Sequence, residues 1–544
     1  MRTALRQNRS RRQIAASRSI PAPVGGWDTE SPLADMPPQN AIMLVNWIPR
    51  AGYVEARRGF EQQVSGTDDP VESLVAWRGD ASGDKLLACA GSDIYDVTTP
   101  GALGSAIWGS ASSARWDSVN FANDAGAFAI MANGVDVPLR YDGSAVTELT
   151  ITGSAGSITL DPADLRAPMV HKRRIWMIEK GTLRTWFLPV NAIQGAAQLL
   201  DLGPLFAKGG VLAAQATWSL DGGAGIDDVA VFVSSEGQVA VYQGIDPTDA
   251  DNWSLVGVYD LANPLGERCL LKYGADLAIL TEDGFIPLSQ ALDKDRTQDD
   301  AAALTAKIAT AFSGAASSYK QNYGWQALLY PGRGSLAIIN IPTVELSQSV
   351  QFVQSMQTGA WCKFTGINAI CWAIANGEIY FGGASGVFQW DVGATDNGET
   401  ITYDAKPAFN SFGSRIQLKQ FTMLRALLKA PSIVRPALEM LTDYRESIPV
   451  STPTVVEPGD ISEADADAIR YDWTSASTQG YVGAPRMRLV LEGDAVVATL
   501  GVDATDTLAI NGDGDNLLIR PNLPLDVPIQ LIGFDIMFLP GGQI

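Results

Sequence analysis

The spacing of hydrophobic and polar residues changes along this chain and predicts strands in its central part. From about residue 70 to residue 395, short β-type runs alternate with turns rich in Gly, Asp and Asn. Asn-Gly and Asp-Gly between two such runs are strong β-hairpin signals, because these residues adopt the backbone angles of tight turns. The runs are Lys85–Cys89 with Ile94–Val97, Ala127–Met131 with Pro138–Tyr141, Arg174–Ile178 with Thr182–Leu188, Val229–Ser234 with Gln238–Tyr242, Leu277–Leu280 with Phe285–Leu288, and Ala369–Ala375 with Glu378–Phe381, followed by Val387–Trp390.

The hairpins recur roughly every 40–55 residues, a spacing typical of the blades of a β-propeller. The predicted fold class is therefore all-β, with a β-propeller-like central domain over residues 70–395 and few helices. A series of β-sandwiches is the alternative, since no strict blade signature recurs. One inserted helix is predicted at Thr297–Ser313, where Thr297 and Asp300 form a capping-box pattern before an apolar face.

Two other segments differ in composition from the central domain. Residues 21–69 are rich in Pro and Gly, which disfavour regular structure, yet they include large apolar residues such as Trp27 and Trp47. We expect this extended segment to lie across a surface of its own chain or of a neighbouring subunit. Residues 396–544 contain alternating runs and an acidic, turn-rich stretch, and they predict a separate, sandwich-like C-terminal β domain.

The first 20 residues are strongly basic in an otherwise acidic chain. They carry six arginines and no acid, whereas the whole chain has 39 Lys and Arg against 60 Asp and Glu, a formal net charge of −21. The arginines are Arg2, Arg6, Arg9, Arg11, Arg12 and Arg18. A flexible basic arm that docks onto an acidic partner or onto phosphate, a solvated tail, and an organelle transit peptide all fit this pattern.

Composition excludes several kinds of chemistry. A chain of 544 residues with 46% apolar and 18% charged residues is ordinary globular material. A single histidine, His171, excludes two-His zinc sites, and no P-loop or Gly-x-Ser-x-Gly motif occurs. We therefore predict no enzymatic activity, no catalytic residues and a structural role for His171. The scattered cysteines predict buried, reduced thiols: Cys89, Cys269, Cys362 and Cys371.

Neither a cofactor nor a metal ion is predicted. Two acidic turns could each hold Ca²⁺, one with Asp391, Asp396, Asn397 and Glu399 and the other with Asp513 and Asp515, but neither has EF-hand spacing, and such turns without a metal are commoner. The 14 tryptophans could line a sugar cleft or pack between blades, and packing is the favoured interpretation. No apolar run reaches the length of a membrane span, so no span is predicted.

Acidic residues concentrate in one part of the central domain. Residues 216–300 contain 16 acids and four bases. Such a surface repels nucleic-acid phosphates, which would suit a conduit through which DNA passes without sticking. An acidic surface that serves only solubility explains the same composition.

Several segments resemble structural proteins of tailed phages. They are the opening PVGGWDTESPLADMPPQNAIMLVNWIPRAGYVEARRG, the middle run KYGADLAILTEDGFIPLSQAL, the phrases YGWQALLYP, QTGAWCKFTG and EIYFGGASGVFQWDVGATDNG, and the closing GFDIMFLPGG. They occur in order across residues 21–544. The characterised proteins that this order resembles are the tail nozzle, or tail hub, proteins of short-tailed phages.

The resemblance implies a role and a set of partners. It implies a β-propeller subunit of a homohexameric virion nozzle, assembled in the host cytoplasm, that forms the distal DNA channel below the portal and its adaptor. Implied partners are the head-to-tail adaptor, other tail proteins or fibres, and genomic DNA in transit. A carbohydrate- or receptor-binding tail propeller and a propeller glycosidase are the alternatives. No gate residues, blade number or adaptor-facing surface follow from the resemblance.

Overall fold

The computed structural model describes residues 14–79, 83–221, 226–249, 251–291, 303–430, 437–442, 454–455, 471–472, 485–492 and 528–543. The chain divides into two units. The central unit is Arg58–Glu399, and the flanking unit combines Met1–Arg57 with Thr400–Ile544. The flanking unit thus contains both ends of the chain, which the sequence analysis treats as separate segments.

The first strands belong mostly to the flanking unit. Strands β1 to β5 are Ala16–Pro21, Gly26–Trp27, Asn40–Val45, Trp47–Pro49 and Val54–Ala56, and the central unit begins with β6, Phe60–Ser65. The next strands, β7 to β16, are Val71–Trp77, Lys85–Ala90, Asp93–Asp96, Gly101–Ala102, Asp117–Asn123, Gly126–Ala132, Leu139–Tyr141, Val146–Glu148, Ile151–Ala155 and Ile158–Thr159. A 3₁₀ turn follows at Pro162–Asp164.

The remaining elements of the central unit are again mostly strands. Strands β17 to β27 are Leu165–His171, Arg174–Glu179, Arg184–Phe187, Gly195–Asp201, Leu212–Asp221, Ile226–Ser234, Gln238–Gly244, Trp253–Asp260, Leu270–Tyr273, Asp276–Thr281 and Gly284–Pro287. Helix α1 is Leu288–Ala291, a 3₁₀ turn spans Ala306–Ile308, and helix α2 is Ala309–Tyr319. Strands β28 to β34 are Gln326–Tyr330, Leu336–Val344, Gln348–Ser355, Trp361–Phe364, Cys371–Ala375, Glu378–Gly383 and Gly386–Trp390.

The described strands of the central unit form seven mostly antiparallel sheets arranged in a ring. The hairpin strands of the sheets begin with β7, β11, β17, β21, β25, β28 and β32 and follow one another in the chain. Two sheets include further strands of this unit, since β15 and β16 join the β17 sheet and β6 and β10 join the β32 sheet. The first strand of each sheet lies beside the first strand of the next, and β32 lies beside β7, which closes the circle. This arrangement confirms the predicted all-β, propeller-like fold.

Turn chemistry explains why the hairpins form where the sequence predicts them. At the turn between β32 and β33, Asn376 and Gly377 have φ angles of 53° and 82°. Positive φ at both central residues is what a two-residue hairpin turn of type I′ requires. Lys172 and Arg173, between β17 and β18, also have positive φ, 47° and 60°, although neither is a Gly or Asn.

One strand from outside the hairpin series closes the ring. Strand β6 pairs antiparallel with β34, with Val64 opposite Val387 and Phe60 opposite Trp390. The last sheet therefore combines the start and the end of the central unit. Gly59 is required next to this junction, since a Cβ atom there would lie 1.8 Å from the Thr395 carbonyl oxygen.

The core of the central unit lies between neighbouring sheets. Leu87 on β8 and Met131 on β12 are fully buried in one cluster, in which the Trp77 and Tyr141 rings meet edge to face at 5.7 Å. A second cluster joins the β17 and β21 sheets, with Phe232 fully buried. Burying such a side chain stabilises the fold by about 1.5–3 kcal/mol, so these inter-sheet contacts hold the ring together.

The flanking unit is built from strands that are distant in sequence. Strands β35 to β41 are Thr402–Pro407, Gln417–Lys429, Ala437–Thr442, Thr454–Val455, Tyr471–Asp472, Pro485–Glu492 and Gln530–Gln543. Strand β41 pairs with β36, β5 and β1, and β35 pairs with β3 and β40. The Pro/Gly-rich segment therefore forms strands on a surface of its own chain, where Trp47 is fully buried against Tyr403.

The described part of the predicted helix Thr297–Ser313 differs from the prediction, since residues 303–308 are not α-helical. Helix α2 begins at Ala309 and ends at Tyr319, and residues 292–302, with the predicted cap, lie outside the described residues. Leu304 donates its backbone N–H to the Phe285 carbonyl, and Phe285 donates to Thr305 Oγ1 at 3.1 Å. These bonds hold residues 304–305 against β27, so α2 does not extend back to residue 304. No helix in the described ranges is long and apolar enough to cross a membrane.

Candidate functional site

Charged side chains gather at the end of the ring where the first strands of the sheets begin. Arg115 lies two residues before β11, Arg166 is the second residue of β17, and Arg268 lies two residues before β25. Lys180 directly follows β18, and Lys320 directly follows α2. We call this end of the ring, defined by these five cations, the ring mouth.

Arg268 reaches across the ring axis. Its Nη2 donates to Ser73 Oγ at 2.9 Å and to the Trp116 carbonyl at 3.1 Å, and its Nε lies 3.3 Å from Asp117 Oδ1. Arg268 lies just before the fifth sheet of the ring, which begins with β25, whereas Ser73 lies in the first sheet and Asp117 begins the second. The side chain therefore ties opposite sides of the ring together and occupies the axis at the mouth.

Tyr323 completes this crossing. Its hydroxyl donates to the Glu72 carbonyl at 2.9 Å, and the guanidinium carbons of Arg115 and Arg268 lie 4.1 Å and 5.7 Å from its ring centre. Burial raises the pKa of Tyr323, so its hydroxyl stays protonated and acts as a donor. Arg115 also pairs with the carboxylates of Glu72 at 2.7 Å and Glu345 at 3.0 Å.

A cavity of about 460 Å³ opens at the ring mouth. All five cations line it, and Glu267 is the only acid among its 15 lining residues. Arg166 pairs with Glu267 at 2.9 Å and donates to the Ala213 carbonyl at 2.7 Å. Amide and hydroxyl side chains complete the polar part of the wall: Ser113, Asn133, Gln321 and Asn322. The cavity is therefore rich in hydrogen-bond donors.

The opposite charge dominates the fourth sheet of the ring, β21–β24, with its loops. Residues 209–267 contain nine Asp and Glu and no Lys or Arg. Glu236, Asp249, Asp251 and Asp260 are exposed on this acidic sheet. Its only cationic contacts in the described residues come from the preceding sheet and its loop, such as Arg174 with Asp246 at 3.1 Å and Lys208 with Asp260 at 3.2 Å.

His171 lies in the core and not in a site. Its side chain is almost fully buried, its Nδ1 is 3.2 Å from Thr217 Oγ1, and its ring meets those of Trp176 and Trp253 edge to face. Burial lowers the pKa of His171 to about 4, with a smaller contribution from Lys172. The imidazole is therefore neutral near pH 7 and packs as a core residue.

The cysteines and tryptophans singled out in the sequence are core residues. The four cysteines are buried free thiols, and burial raises the pKa of Cys269 and Cys371 to about 12. Seven tryptophans in strand-like contexts are each at most 4% exposed: Trp77, Trp116, Trp176, Trp186, Trp325, Trp372 and Trp390. Core packing is thus confirmed for them, and none of these seven offers an open face to a sugar.

The acidic side chains of the turn after β34 bond to other groups of the same chain. Asp391 accepts hydrogen bonds from the Tyr330 hydroxyl and from Arg333 Nε, both at 3.1 Å. Asp396 and Glu399 are joined to each other through their backbones. Asp513 and Asp515 lie outside the described residues. Within the described ranges, no group of three or more His, Cys, Asp or Glu could hold a metal ion.

The structure describes only the end of the basic arm. Arg2, Arg6, Arg9, Arg11 and Arg12 lie outside the described residues, whereas Arg18 is exposed on β1. Strand β1 pairs with β41, and Ser19 Oγ donates to Asp535 Oδ1 at 2.6 Å. A flexible arm over all of residues 1–20 is therefore wrong for its last five residues, which are ordered by pairing with the C-terminal strand.

Sequence reasoning missed the ring mouth because its members are far apart in the chain and form no motif. A signal does exist. Arg115, Arg268 and Tyr323 each stand two or three residues before the first strand of a sheet. In a ring of sheets, such positions converge on the axis, so polar residues repeated there could have been recognised as one cluster.

Comparisons with known proteins give a fold likeness only. No protein-family model matches the chain, and no curated protein matches it. Among solved structures, BBS1N in complex with ARL6DN is similar over 63% of this chain and 97% of its own, with 10% identity and a TM-score of 0.38. The extracellular domain of a hybrid two-component system from B. thetaiotaomicron is similar over 77% of this chain and 50% of its own, with 12% identity and a TM-score of 0.39. Likenesses this weak carry no functional argument.

Proposed function

We propose that this protein is a structural subunit of a phage tail nozzle, in which several copies form a ring around the path of the genomic DNA. The ordered phage-like segments across residues 21–544 motivate the proposal. A homohexamer below the head-to-tail adaptor in the virion is the arrangement that this resemblance implies. The proposed role is structural, and no residue is assigned a catalytic function.

The acidic sheet is the observation that carries the proposal. Residues 209–267 have nine acids and no base, and Glu236, Asp249, Asp251 and Asp260 are exposed there. A lumen lined with cations would hold DNA, because each Lys or Arg contact with a phosphate adds affinity through counterion release. A wall of carboxylates repels phosphates and lets the duplex pass. In this proposal the acidic sheet of each copy faces the lumen.

The crossing of the ring axis supports a channel formed by several copies rather than by one. Arg268 and Tyr323 cross the axis of the single ring of sheets, so one subunit offers no passage for DNA along its own axis. The channel must then be enclosed between subunits. A closed ring of identical copies requires one face of each subunit to meet a different face of the next.

Electron microscopy of purified particles tests the proposal directly. Sixfold density below the portal that contains this protein would support it. Its absence from the particle, or its presence only in peripheral fibres, would overturn the proposal in favour of the receptor-binding alternative or a role outside the virion.

A charge-reversal pair tests the place of the acidic sheet. Glu236→Lys with Asp251→Lys should slow DNA ejection about severalfold at low salt, because two new cations per subunit would attract phosphates. Asp124→Lys with Glu148→Lys makes the same charge change at exposed positions of another sheet. The control pair should leave ejection unchanged, and equal slowing by both pairs would show that the acidic sheet does not face the DNA.

A further inference from the structure

The ring mouth has the properties of a ligand site, independently of the proposed nozzle role. Five Lys and Arg side chains from different elements surround one cavity of about 460 Å³, in a chain where acids outnumber bases by 60 to 39. The carboxylates that pair with Arg115, Arg268 and Lys320 are outside the lining, and only Glu267 shares the wall with them. The surface that faces the cavity is therefore mainly cationic.

The donors of this wall are only partly used by the protein. Arg166 is 9% exposed, and its Nε has no hydrogen-bond partner in the described part of the chain. A buried donor without a partner is costly, so an acceptor that reached it would be favoured. Lys180 has three N–H donors, of which one is directed to the Gly134 carbonyl at 3.0 Å.

The acids near the cavity can be displaced. Glu267 is 49% exposed and Glu345 is 43% exposed, and such exposed ion pairs contribute little free energy. A ligand anion could replace either carboxylate at Arg166 or Arg115 without leaving a buried charge unpaired. Guanidinium groups bind carboxylates and phosphates through paired N–H donors, which sets the chemistry of the ligand.

We propose that the ring mouth binds a small, multiply charged anion of the phosphate or carboxylate type. Arg115, Arg166 and Lys180 supply the donors, whereas Arg268 and Tyr323 form the floor that closes the axis behind the ligand. Duplex DNA is not the ligand, because the phosphates would have to enter a closed-ended cavity in a protein of net charge −21.

Isothermal titration calorimetry of the full chain with pyrophosphate and with citrate tests the site and distinguishes the two chemistries. We expect saturable binding of at least one of them. Lys180→Met should weaken binding about tenfold by removing one charged donor. Lys208→Met is the matched control, since Lys208 is a partly exposed lysine paired with Asp260 away from the cavity. The control should leave the dissociation constant unchanged.

A variant that should strengthen anion binding complements the variant that should weaken it. Glu267→Gln removes the only acid of the wall and should tighten binding about threefold or more, whereas Glu236→Gln, on the acidic sheet, should not. Absence of saturable binding for both anions, equal effects of Lys180→Met and Lys208→Met, or weaker binding by Glu267→Gln would overturn the proposal. Displacement of pyrophosphate by a short DNA duplex would also overturn it. None of these results depends on whether the protein is found in a virion.

Discussion

The central and flanking units are both made of β-strands, but they are connected in different ways. In the central unit, almost every strand pairs with the strand before or after it in the chain, so the sheets are mainly local products of hairpin turns. In the flanking unit, strand β1 pairs with β41, and the hydrogen bond from Ser19 to Asp535 joins residues 516 positions apart. Local turns specify the first unit, and long-range pairing specifies the second.

The difference shows where each unit can be broken. The ring of hairpins is also held by long-range ties, among them the pairing of β6 with β34, the packing of β32 beside β7, and the crossing of the axis by Arg268. Closing a long loop costs more conformational entropy than closing a short hairpin turn. The long-range ties must therefore supply more favourable contact energy than the hairpin turns do. We therefore expect substitutions at the ties of the ring to have larger effects than substitutions on exposed strands.

The largest effect is expected at the closing strand of the ring. Phe60 on β6 meets Phe381 and Phe388 edge to face at 5.0 Å and 5.5 Å. Phe60→Ala should lower the free energy of unfolding of the central unit by about 3–5 kcal/mol, since it leaves a cavity beside the two remaining rings. Urea unfolding followed by tryptophan fluorescence measures this. Glu61→Gln, exposed on the same strand, is the control, and equal stability of the two variants would contradict the importance of this closure.

The next effect is a pH dependence of stability, which arises from His171 at the interface between the β17 and β21 sheets. The pKa of His171 is about 4 in the folded protein and 6.5 ordinarily, so the unfolded chain takes up the proton first as the pH falls. The contribution of the neutral imidazole is fully present above pH 6.5 and is lost between pH 6.5 and pH 4. The loss amounts to roughly 3 kcal/mol.

His171→Gln isolates this effect from the titration of the carboxylates. Urea unfolding at several pH values between 7 and 4 should give a smaller loss of stability on acidification for the variant than for the native protein. The comparison uses the slope with pH and not the stability at pH 7, because the substitution also changes the Thr217 and tryptophan contacts. Parallel pH profiles for the two proteins would show that His171 does not titrate in this range.

A smaller effect is expected at the tie across the axis. Arg268→Met removes the cation that pairs with Asp117 and bonds to Ser73, and should cost about 2–3 kcal/mol, since both ionic partners are about one-fifth exposed. Lys320→Met breaks the more exposed pair with Glu282 and should cost less than about 1 kcal/mol. Equal losses in thermal unfolding would mean that Arg268 is not a tie between sheets.

The sequence predicts the hairpins because their signals are local. The Asn376–Gly377 turn and the flanking apolar runs lie within a few residues of one another, and the strands occur at these positions. The same approach misplaced the described part of the helix, because apolar spacing cannot show that Thr305 bonds to Phe285 on a neighbouring strand. Local patterns do not contain that competing tertiary contact.

The ring mouth and the flanking unit could not be predicted for a related reason. Arg115, Arg268 and Tyr323 meet only because the sheets close into a ring, and sequence spacing does not give the order of that closure. Strand β1 was likewise hidden inside a basic segment, since its partner lies at the other end of the chain. The acidic sheet, by contrast, was visible from composition, because its charges are contiguous in sequence.

The smallest effect is expected on β1, and it is measured by making the same substitution, Ser to Ala, once in the flanking unit and once in the central unit. Ser19→Ala on β1 removes an exposed hydrogen bond to Asp535, and water can replace the lost donor, so we expect a loss of about 0.5 kcal/mol. Ser73→Ala in the ring removes a fully buried hydroxyl that accepts from Arg268 and from the Trp116 backbone N–H, and leaves both donors without that acceptor. This variant should lose about 1–3 kcal/mol. Thermal unfolding of both variants measures the contrast. A larger loss for Ser19→Ala would mean that the edge strand β1, and not the crossing of the ring axis, is the more important long-range tie.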